Sequence, residues 1–261
     1  MLNEKIILGL SNAHHDGAAC IVKGGKILAA IECERLTKRK KDELNPSTLK
    51  ETLDYVLEAV EMELKDIDYI AVGSSPEELP LTPENTVALG TNLFNSNKKG
   101  VIVPHHLAHN AAAYYTSPFD SSVSLSVDAS SGVPEGYHLN SSICLAEGNK
   151  ITCIETPSIP YGVLYHRVCE YLGIGNPLHK VGTLMGVAPY GKPIPDTDFD
   201  LEDRHEVTNL IEEDFSSAVN IAATTQKLLE QRLLHLVGEL PANSKNLCLS
   251  GGTFLNCPAN S

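Results

Sequence analysis

Two histidines spaced four residues apart, followed by an aspartate, are the residues of this sequence best suited to metal chemistry. His105 and His109 would lie one turn apart on one face if the segment after Pro104 is helical, so both imidazoles could reach one ion. Asp128 follows at the end of an apolar run and would be the third ligand. Two histidines and a carboxylate are typical of non-haem iron sites, although zinc or manganese could also occupy such a site. A histidine pair in an Ala-rich helix is more often packed or solvated, so both interpretations stay open.

Three other segments carry residues that could bind anions or move protons. A polar turn after the first predicted strand contains His14, His15 and Asp16. Residues 34–42 form the most basic segment, which is either a solvated face or an anion clamp folded over that turn. Residues 250–252, Ser-Gly-Gly, lie between a predicted strand and a predicted helix, where backbone amides can approach a ligand. A lone Gly-Gly is more often a turn or packing device.

Composition narrows the class of protein. The chain has 261 residues, 42% hydrophobic residues and a formal charge of −13, which is typical of a globular protein and argues against binding to a nucleic-acid backbone. No apolar run approaches the length of about 18 residues that spans a membrane. The seven cysteines show no paired C-x-x-C spacing. We therefore expect a cytoplasmic protein with reduced, buried thiols, including Cys20, Cys33, Cys144 and Cys153 in strand-like segments.

Two stretches of the chain repeat the same pattern. Residues 20–27 can be laid over residues 144–151 without a gap, and each stretch reads as strand, turn and strand after a strand that ends in an acidic turn. This repeat predicts two structurally equivalent halves. The other predicted elements are a helix capped by Ser47, a helix from His105 to about Thr116, helices near 163–172 and 215–237, a glycine-punctuated loop at 180–191, and a strand at 246–250 followed by a helix.

The duplication predicts an α/β protein with the duplicated actin-like ATPase (ribonuclease-H-like) fold. We expect subdomains at 1–120 and 121–261, forming two lobes around a nucleotide cleft. Only eleven residues follow the strand at 246–250, whereas about fifty follow its counterpart at 69–72 before the second half begins. The sequence therefore predicts a truncated second lobe and a fragment of a longer protein.

Several of these motifs together resemble one enzyme family. The His15-Asp16 pair, residues 34–40, His105 and His109 with Asp128, residues 185–191 and residues 251–256 occur in the order found in NodU/CmcH O-carbamoyltransferases. The resemblance covers the whole chain but only the amino-terminal part of such an enzyme. It implies a domain similar to the tRNA threonylcarbamoyl transferase fold, with a YrdC-like domain absent here.

The resemblance also implies the chemistry. Carbamoyl phosphate and ATP would give carbamoyl-adenylate in the YrdC-like domain, and the carbamoyl group would pass to the hydroxyl of a small-molecule or glycan acceptor. A divalent metal, usually Fe²⁺, would be bound by His105, His109 and Asp128, with another aspartate ligand beyond Ser261. His15 would be the catalytic base beside Asp16, with Lys40 neutralising phosphate. The residues implied at the nucleotide are Ser11, Lys180, Gly251, Gly252 and Asn256.

One alternative from another class stays open. A non-catalytic or regulatory ATP-binding module would keep the same fold and act only through partner contacts. A role in tRNA threonylcarbamoylation fits the fold but agrees poorly with the acidic charge. A homodimer is compatible with either interpretation.

Overall fold

The computed structural model describes residues 5–12, 15–74, 99–129, 141–155, 161–195, 215–241 and 245–261. The chain divides into two compact units, Met1–Ala108 and His109–Ser261. The division at residue 120 expected from the sequence stays a prediction. Within the described ranges, the structure contains no helix that combines the length and the apolar character needed to cross a bilayer.

The first unit is a five-stranded sheet covered by a helix. Its elements are β1 (Ile6–Asn12), β2 (Ala18–Lys23), β3 (Lys26–Glu32), α1 (Cys33–Thr37), α2 (Pro46–Ala59), β4 (Tyr69–Ser74) and β5 (Lys99–Pro104). The strand order is β3-β2-β1-β4-β5, with β1 to β3 antiparallel and with β4 and β5 parallel to β1. Apolar residues at helical spacing, such as Leu53 and Val56, pack on sheet residues such as Ile21 and Ile70 and form the core.

The second unit is built around a four-stranded sheet. The elements that follow β5 are α3 (His105–Tyr115), β6 (Ser121–Val127), β7 (Ser141–Glu147), β8 (Lys150–Glu155), α4 (Tyr161–Tyr171), α5 (Pro177–Val187), α6 (Phe215–Gly238) and β9 (Leu247–Ser250). The strand order is β8-β7-β6-β9. Helix α3 begins at His105 directly after β5 and continues across the boundary between the units. The long helix predicted at 215–237 is confirmed and buries residues such as Ile221 and Leu229.

The predicted duplication is confirmed by the two sheets. The order β3-β2-β1-β4 in the first sheet corresponds to β8-β7-β6-β9 in the second, and in each case the last strand is parallel to the first. The two meanders turn at equivalent glycines, Gly24 and Gly148, which have φ of 58° and 55°. This is the left-handed region that glycine adopts without steric cost. The α/β fold expected from the repeat is therefore present in both units.

Two local predictions about glycine-containing segments were wrong. Residues 180–191 are mostly helical rather than a loop, because α5 buries Leu184 against α4 and α6. That tertiary contact outweighs the low helix propensity of the glycines. The segment after β9 forms two short 3₁₀ turns, Gly252–Leu255 and Pro258–Asn260, instead of opening an α-helix.

The cysteines also differ from expectation at two places. Cys144 and Cys153 are opposite partners on the antiparallel strands β7 and β8, and they form a disulfide rather than two free thiols. The disulfide could not be predicted from the spacing of the two cysteines in the sequence, because it depends on the register between the two strands. Cys33 begins helix α1 instead of lying in a strand, and it is a buried free thiol.

Helix α2 is capped by Asn45, so the prediction of Ser47 as the cap was wrong. The Asn45 carboxamide oxygen accepts hydrogen bonds from the backbone N–H groups of Ser47 and Thr48, at 3.0 and 3.2 Å. The Thr48 hydroxyl accepts in return from the Asn45 N–H at 2.9 Å, which completes a capping box. Pro46 occupies the first helical turn, where its missing N–H has no cost.

Replacing Asn45 by alanine should lower the free energy of unfolding by about 1 kcal/mol, since two backbone donors lose their acceptor. Ser47→Ala is the matched control, and its exposed side chain should change stability by no more than about 0.5 kcal/mol. Urea unfolding of both variants measures the difference. Equal losses in the two variants would contradict this assignment of the cap.

Candidate functional site

One buried amide fixes helix α3 to the second sheet. Asn110 is fully buried, and its Nδ2 donates to Ser142 Oγ at 2.7 Å and lies 3.3 Å from Cys144 Sγ. Its Oδ1 accepts from Ser124 Oγ at 2.7 Å. The partners belong to β6 and β7, so these bonds set both the rotation and the axial position of the helix on the sheet. The role of Asn110 was not predicted, because its signal in the sequence is no more than a polar residue in the Ala-rich run next to His109.

The composition of β6 explains why the hydrogen bonds of Asn110 form there; these bonds are called the Asn110 clamp below. Along this strand serines alternate with Val123, Leu125 and Val127, and every residue from 122 to 127 is buried. The three apolar residues join a core that includes Leu236 of α6. Ser124, which has the opposite side-chain direction, meets Asn110. The small serine face thus supplies a hydrogen-bond partner for the helix.

The clamped helix holds His109 against Asp128. His109 Nε2 lies 3.3 Å from Asp128 Oδ2, and the Asp128 side chain is only 15% exposed. Two atoms that each bind one metal at about 2.0–2.2 Å are themselves separated by roughly 3 Å, so this pair fits a shared ion. The predicted helix is confirmed, and helical spacing places His105 one turn before His109 on the same face.

Asp128 also contacts the glycine turn that follows β9. Strands β6 and β9 are parallel neighbours, with Ser126 paired to Ser250, so their carboxyl ends lie together. The Gly252 N–H donates a hydrogen bond to Asp128 Oδ1. Gly251 has φ of 91°, and a Cβ there would collide with the carbonyl oxygen of Val127. Only glycine allows the backbone to pass this close to β6.

A buried polar cluster supports the far end of the glycine turn. Asn256 and Gln226 exchange two side-chain hydrogen bonds of 3.0 Å, and Gln226 Nε2 also donates to Glu230 at 2.6 Å. The Tyr165 hydroxyl donates to Gln226 Oε1, and burial raises the pKa of Tyr165 to about 12. Asn256 Oδ1 accepts from the Ala259 N–H at 3.1 Å. Asn256 therefore acts as an internal support, and its contact with a nucleotide stays a prediction.

Two other predicted nucleotide residues lie on different elements. Lys180 is exposed on α5 of the second unit. Ser11 lies near the end of β1 in the first unit, paired with Ala18 and Gly73. The roles of Tyr165 and Gln226 were not predicted, since polar residues inside amphipathic helices give no pattern of their own.

In the first unit, the turn after β1 carries an imidazole and carboxylate pair. His15 Nδ1 lies 2.6 Å from Asp16 Oδ2, and both side chains are partly exposed. Asp16 has φ of 54°, a left-handed conformation that aspartate tolerates better than most residues. This contact fixes which ring nitrogen faces Asp16 and leaves Nε2 on the other side of the ring. His14 lies outside the described residues.

The basic segment is tied to the same turn. The Cys33 N–H donates to the Gly17 carbonyl at 2.7 Å, and the Gly17 N–H donates to the Asp42 carbonyl at 2.8 Å. Both ends of residues 33–42 are thus held beside His15 and Asp16, as an anion clamp requires. Arg35 Nη2 lies 3.2 Å from Glu32 Oε2, so the Arg35 charge is partly neutralised by a carboxylate. The Lys40 side chain is exposed to solvent.

A family model and two curated relatives match this chain. The model described as "Carbamoyltransferase N-terminus" matches residues 6–86 and 81–203. The protein sll1178 of Synechocystis is 28% identical over 97% of this chain and 51% of its own length. Nodulation protein NolNO of Sinorhizobium fredii is 30% identical over 70% of this chain and 29% of its own length. The chain thus spans about half the length, or less, of the curated relatives it matches.

A solved structure with the same fold is full-length HypF in its phosphate- and nucleotide-bound form. The TM-score is 0.60 and the sequence identity 12%, covering 100% of this chain and 50% of HypF. At this identity the likeness concerns the fold alone. It agrees with the actin-like ATPase fold predicted from the repeat.

Asn110→Ala should lower the free energy of unfolding by about 1–3 kcal/mol, because the Ser124 and Ser142 hydroxyls would lose their buried partner. The control is Asn149→Ala in the exposed turn between β7 and β8, which should cost no more than about 0.5 kcal/mol. Urea unfolding followed by circular dichroism compares the two. A loss at Asn110 no larger than that at Asn149 would contradict the clamp.

Proposed function

Because this chain belongs to the carbamoyltransferase family, whose amino-terminal region it matches, we propose that it transfers a carbamoyl group to the hydroxyl of a small-molecule or glycan acceptor. The donor is carbamoyl-adenylate, made from carbamoyl phosphate and ATP. The observation that carries the proposal is the 3.3 Å approach of His109 to Asp128, beside the glycine turn, on a chain of this family.

The metal ligands in this proposal are His105, His109 and Asp128. The donor chemistry fits a divalent ion that accepts nitrogen and oxygen ligands, and Fe²⁺ is our first candidate. The bound metal would act as a Lewis acid that orients phosphate or carbamoyl oxygens. His106 is the adjacent imidazole on the same helix and would be the substitute nitrogen ligand.

The proton acceptor in this proposal is His15. The acceptor oxygen attacks the carbamoyl carbon, the bond from that carbon to the phosphate oxygen of the adenylate breaks, and AMP leaves with the electron pair. The hydroxyl proton passes to Nε2 of His15, since an imidazole is a common general base in enzymes. The 2.6 Å contact with Asp16 supports this role, since it orients the ring through Nδ1. Lys40, exposed at the end of the basic segment, would neutralise phosphate charge.

The nucleotide in this proposal would bind at the glycine turn, and further parts of the whole protein would supply the donor. Backbone groups of Gly251 and Gly252 would contact the adenylate, with Ser11, Lys180 and Asn256 as the other nucleotide residues. A YrdC-like domain of the whole protein would form carbamoyl-adenylate. We also propose a cytoplasmic location and a homodimer as its working assembly.

Loss of His109 should remove the metal. His109→Ala and Asp128→Asn should each reduce bound Fe²⁺ from about one per chain to near zero, because each removes one ligand of a site with few protein ligands. His179→Ala is the matched control, since His179 is an exposed histidine on α5. Metal content is measured by mass spectrometry after anaerobic loading and desalting, with circular dichroism as the check on folding. A metal content of His109→Ala equal to that of the wild type would contradict the assignment of the site.

Transfer is tested in the whole protein with carbamoyl phosphate, ATP, Fe²⁺ and a panel of hydroxyl acceptors. Carbamoylated product should form, and both His109→Ala and His15→Ala should abolish it while His179→Ala does not. Nucleotide binding without turnover of carbamoyl phosphate would instead favour a non-catalytic module.

A further inference from the structure

Four consecutive basic residues follow helix α1, and residues 38–41 are called the basic loop below. The first and the last of them, Lys38 and Lys41, have φ of 62° and 56°. This left-handed conformation costs free energy for a residue with a Cβ, so it persists only where the surrounding structure holds it. Backbone conformations of this kind are concentrated at functional sites. The shape of the basic loop must therefore be maintained by other residues.

Glu34 is hydrogen-bonded to both left-handed lysines. Its backbone carbonyl accepts from the Lys38 N–H at 2.9 Å, and its carboxylate Oε2 accepts from the Lys41 N–H at 2.8 Å. The Glu34 side chain is only 17% exposed, so water competes little for the second bond. Arg39 and Lys40 lie between these two points of attachment.

We propose that Glu34 is a positioning residue, whose carboxylate holds Arg39 and Lys40 in place to bind a phosphate group. This inference rests on the proposed function, which assigns the neutralisation of phosphate to Lys40. Long cationic side chains lose conformational freedom when they bind an anion. A loop that already has one backbone conformation reduces the part of this loss that comes from the main chain.

The backbone on either side of the basic loop is fixed without the Glu34 carboxylate. The Asp42 carbonyl accepts from the Gly17 N–H at 2.8 Å and from the Cys33 thiol at 3.0 Å. A Cβ at Gly17 would lie 2.6 Å from the Leu44 nitrogen, so the chain after the loop packs directly on the turn after β1. Removing the Glu34 carboxylate should therefore release the basic loop and leave the fold intact.

Charge alone would argue against a carboxylate at this position. Glu34 lies within the basic segment, and its Oε1 is 3.5 Å from Arg35 Nη2. A negative charge close to a bound phosphate repels it. The Glu34 carboxylate therefore weakens phosphate binding through its charge and strengthens it through the shape of the loop. Because the two effects have opposite signs, substitutions of Glu34 can separate them.

Titration calorimetry of the full chain with inorganic phosphate tests the positioning role, at low ionic strength because salt screens exposed charges. Glu34→Gln keeps a carbonyl oxygen for the Lys41 N–H and removes the charge, so phosphate should bind at least as tightly as to the wild type. Glu34→Ala removes the acceptor as well. Phosphate should bind to it roughly fivefold more weakly than to Glu34→Gln, which corresponds to the loss of one hydrogen bond.

Two further variants serve as controls. Glu43→Ala removes an exposed carboxylate two residues after the basic loop, so phosphate affinity should stay equal or rise slightly. Lys40→Gln should weaken phosphate binding, which shows that the titrated phosphate occupies the loop. AMP is titrated in parallel: a loss of AMP affinity in Lys40→Gln assigns the loop to the adenylate phosphate, and an unchanged AMP affinity assigns it to carbamoyl phosphate. Thermal unfolding confirms that each variant is folded.

The contradicting outcomes are distinguishable. Equal phosphate affinities of Glu34→Gln and Glu34→Ala would overturn the positioning role and leave the proposed function standing. A phosphate affinity that is unchanged in Lys40→Gln would overturn the basic loop as the binding site, and the role of Glu34 with it. A wild type that binds neither phosphate nor AMP would overturn the phosphate and nucleotide assignments of the proposed function itself.

Discussion

The parallel pairing of β6 with β9 is the constraint on which the site in the second unit depends. Since parallel neighbours end at the same edge of a sheet, the residues just after them must meet. Asp128 follows β6, and the glycine turn follows β9, so the carboxylate and the backbone amide are neighbours although 124 positions separate them in sequence. A side chain at position 251 would separate them, because it would collide with the backbone of β6.

The second requirement is a fixed helix. The ligand atoms of a metal site must be placed to within a few tenths of an ångström, so the helix that carries the two histidines must have one fixed position. Asn110 fixes that position, because its carboxamide is hydrogen-bonded to buried hydroxyls of two strands. Unpaired polar groups are costly in a low-dielectric interior, so any other position of the helix would leave this amide and these hydroxyls without partners. The hydrogen bonds of Asn110 therefore specify one position of the helix. The same helix carries His105 and His109, which we propose as metal ligands, so the Asn110 bonds also fix the position of these two histidines.

The sequence predicted those elements of the fold that depend on a local pattern or on a repeated one. The match of residues 20–27 with 144–151 predicted two equivalent meanders, and periodic apolar residues predicted α2 and α6. Contacts made between distant segments were not predictable. The bond between Cys144 and Cys153 depends on strand register, α5 depends on the burial of Leu184, and the amide of Asn110 depends on serines in two strands. His109 and Asp128 lie 3.3 Å apart, and their shared metal stays a prediction. The contact of Asp128 with Gly252 could not be predicted, because it depends on the pairing of β6 with β9.

We propose that one divalent ion bridges helix α3 and the end of β6, and anomalous diffraction from crystals grown with Mn²⁺ would reveal that ion. We expect a single strong anomalous peak at bonding distance, about 2.0–2.3 Å, from His105, His109 and the Asp128 carboxylate. A map with no peak there, or with the ion bound elsewhere while the His109–Asp128 contact persists unchanged, would contradict it.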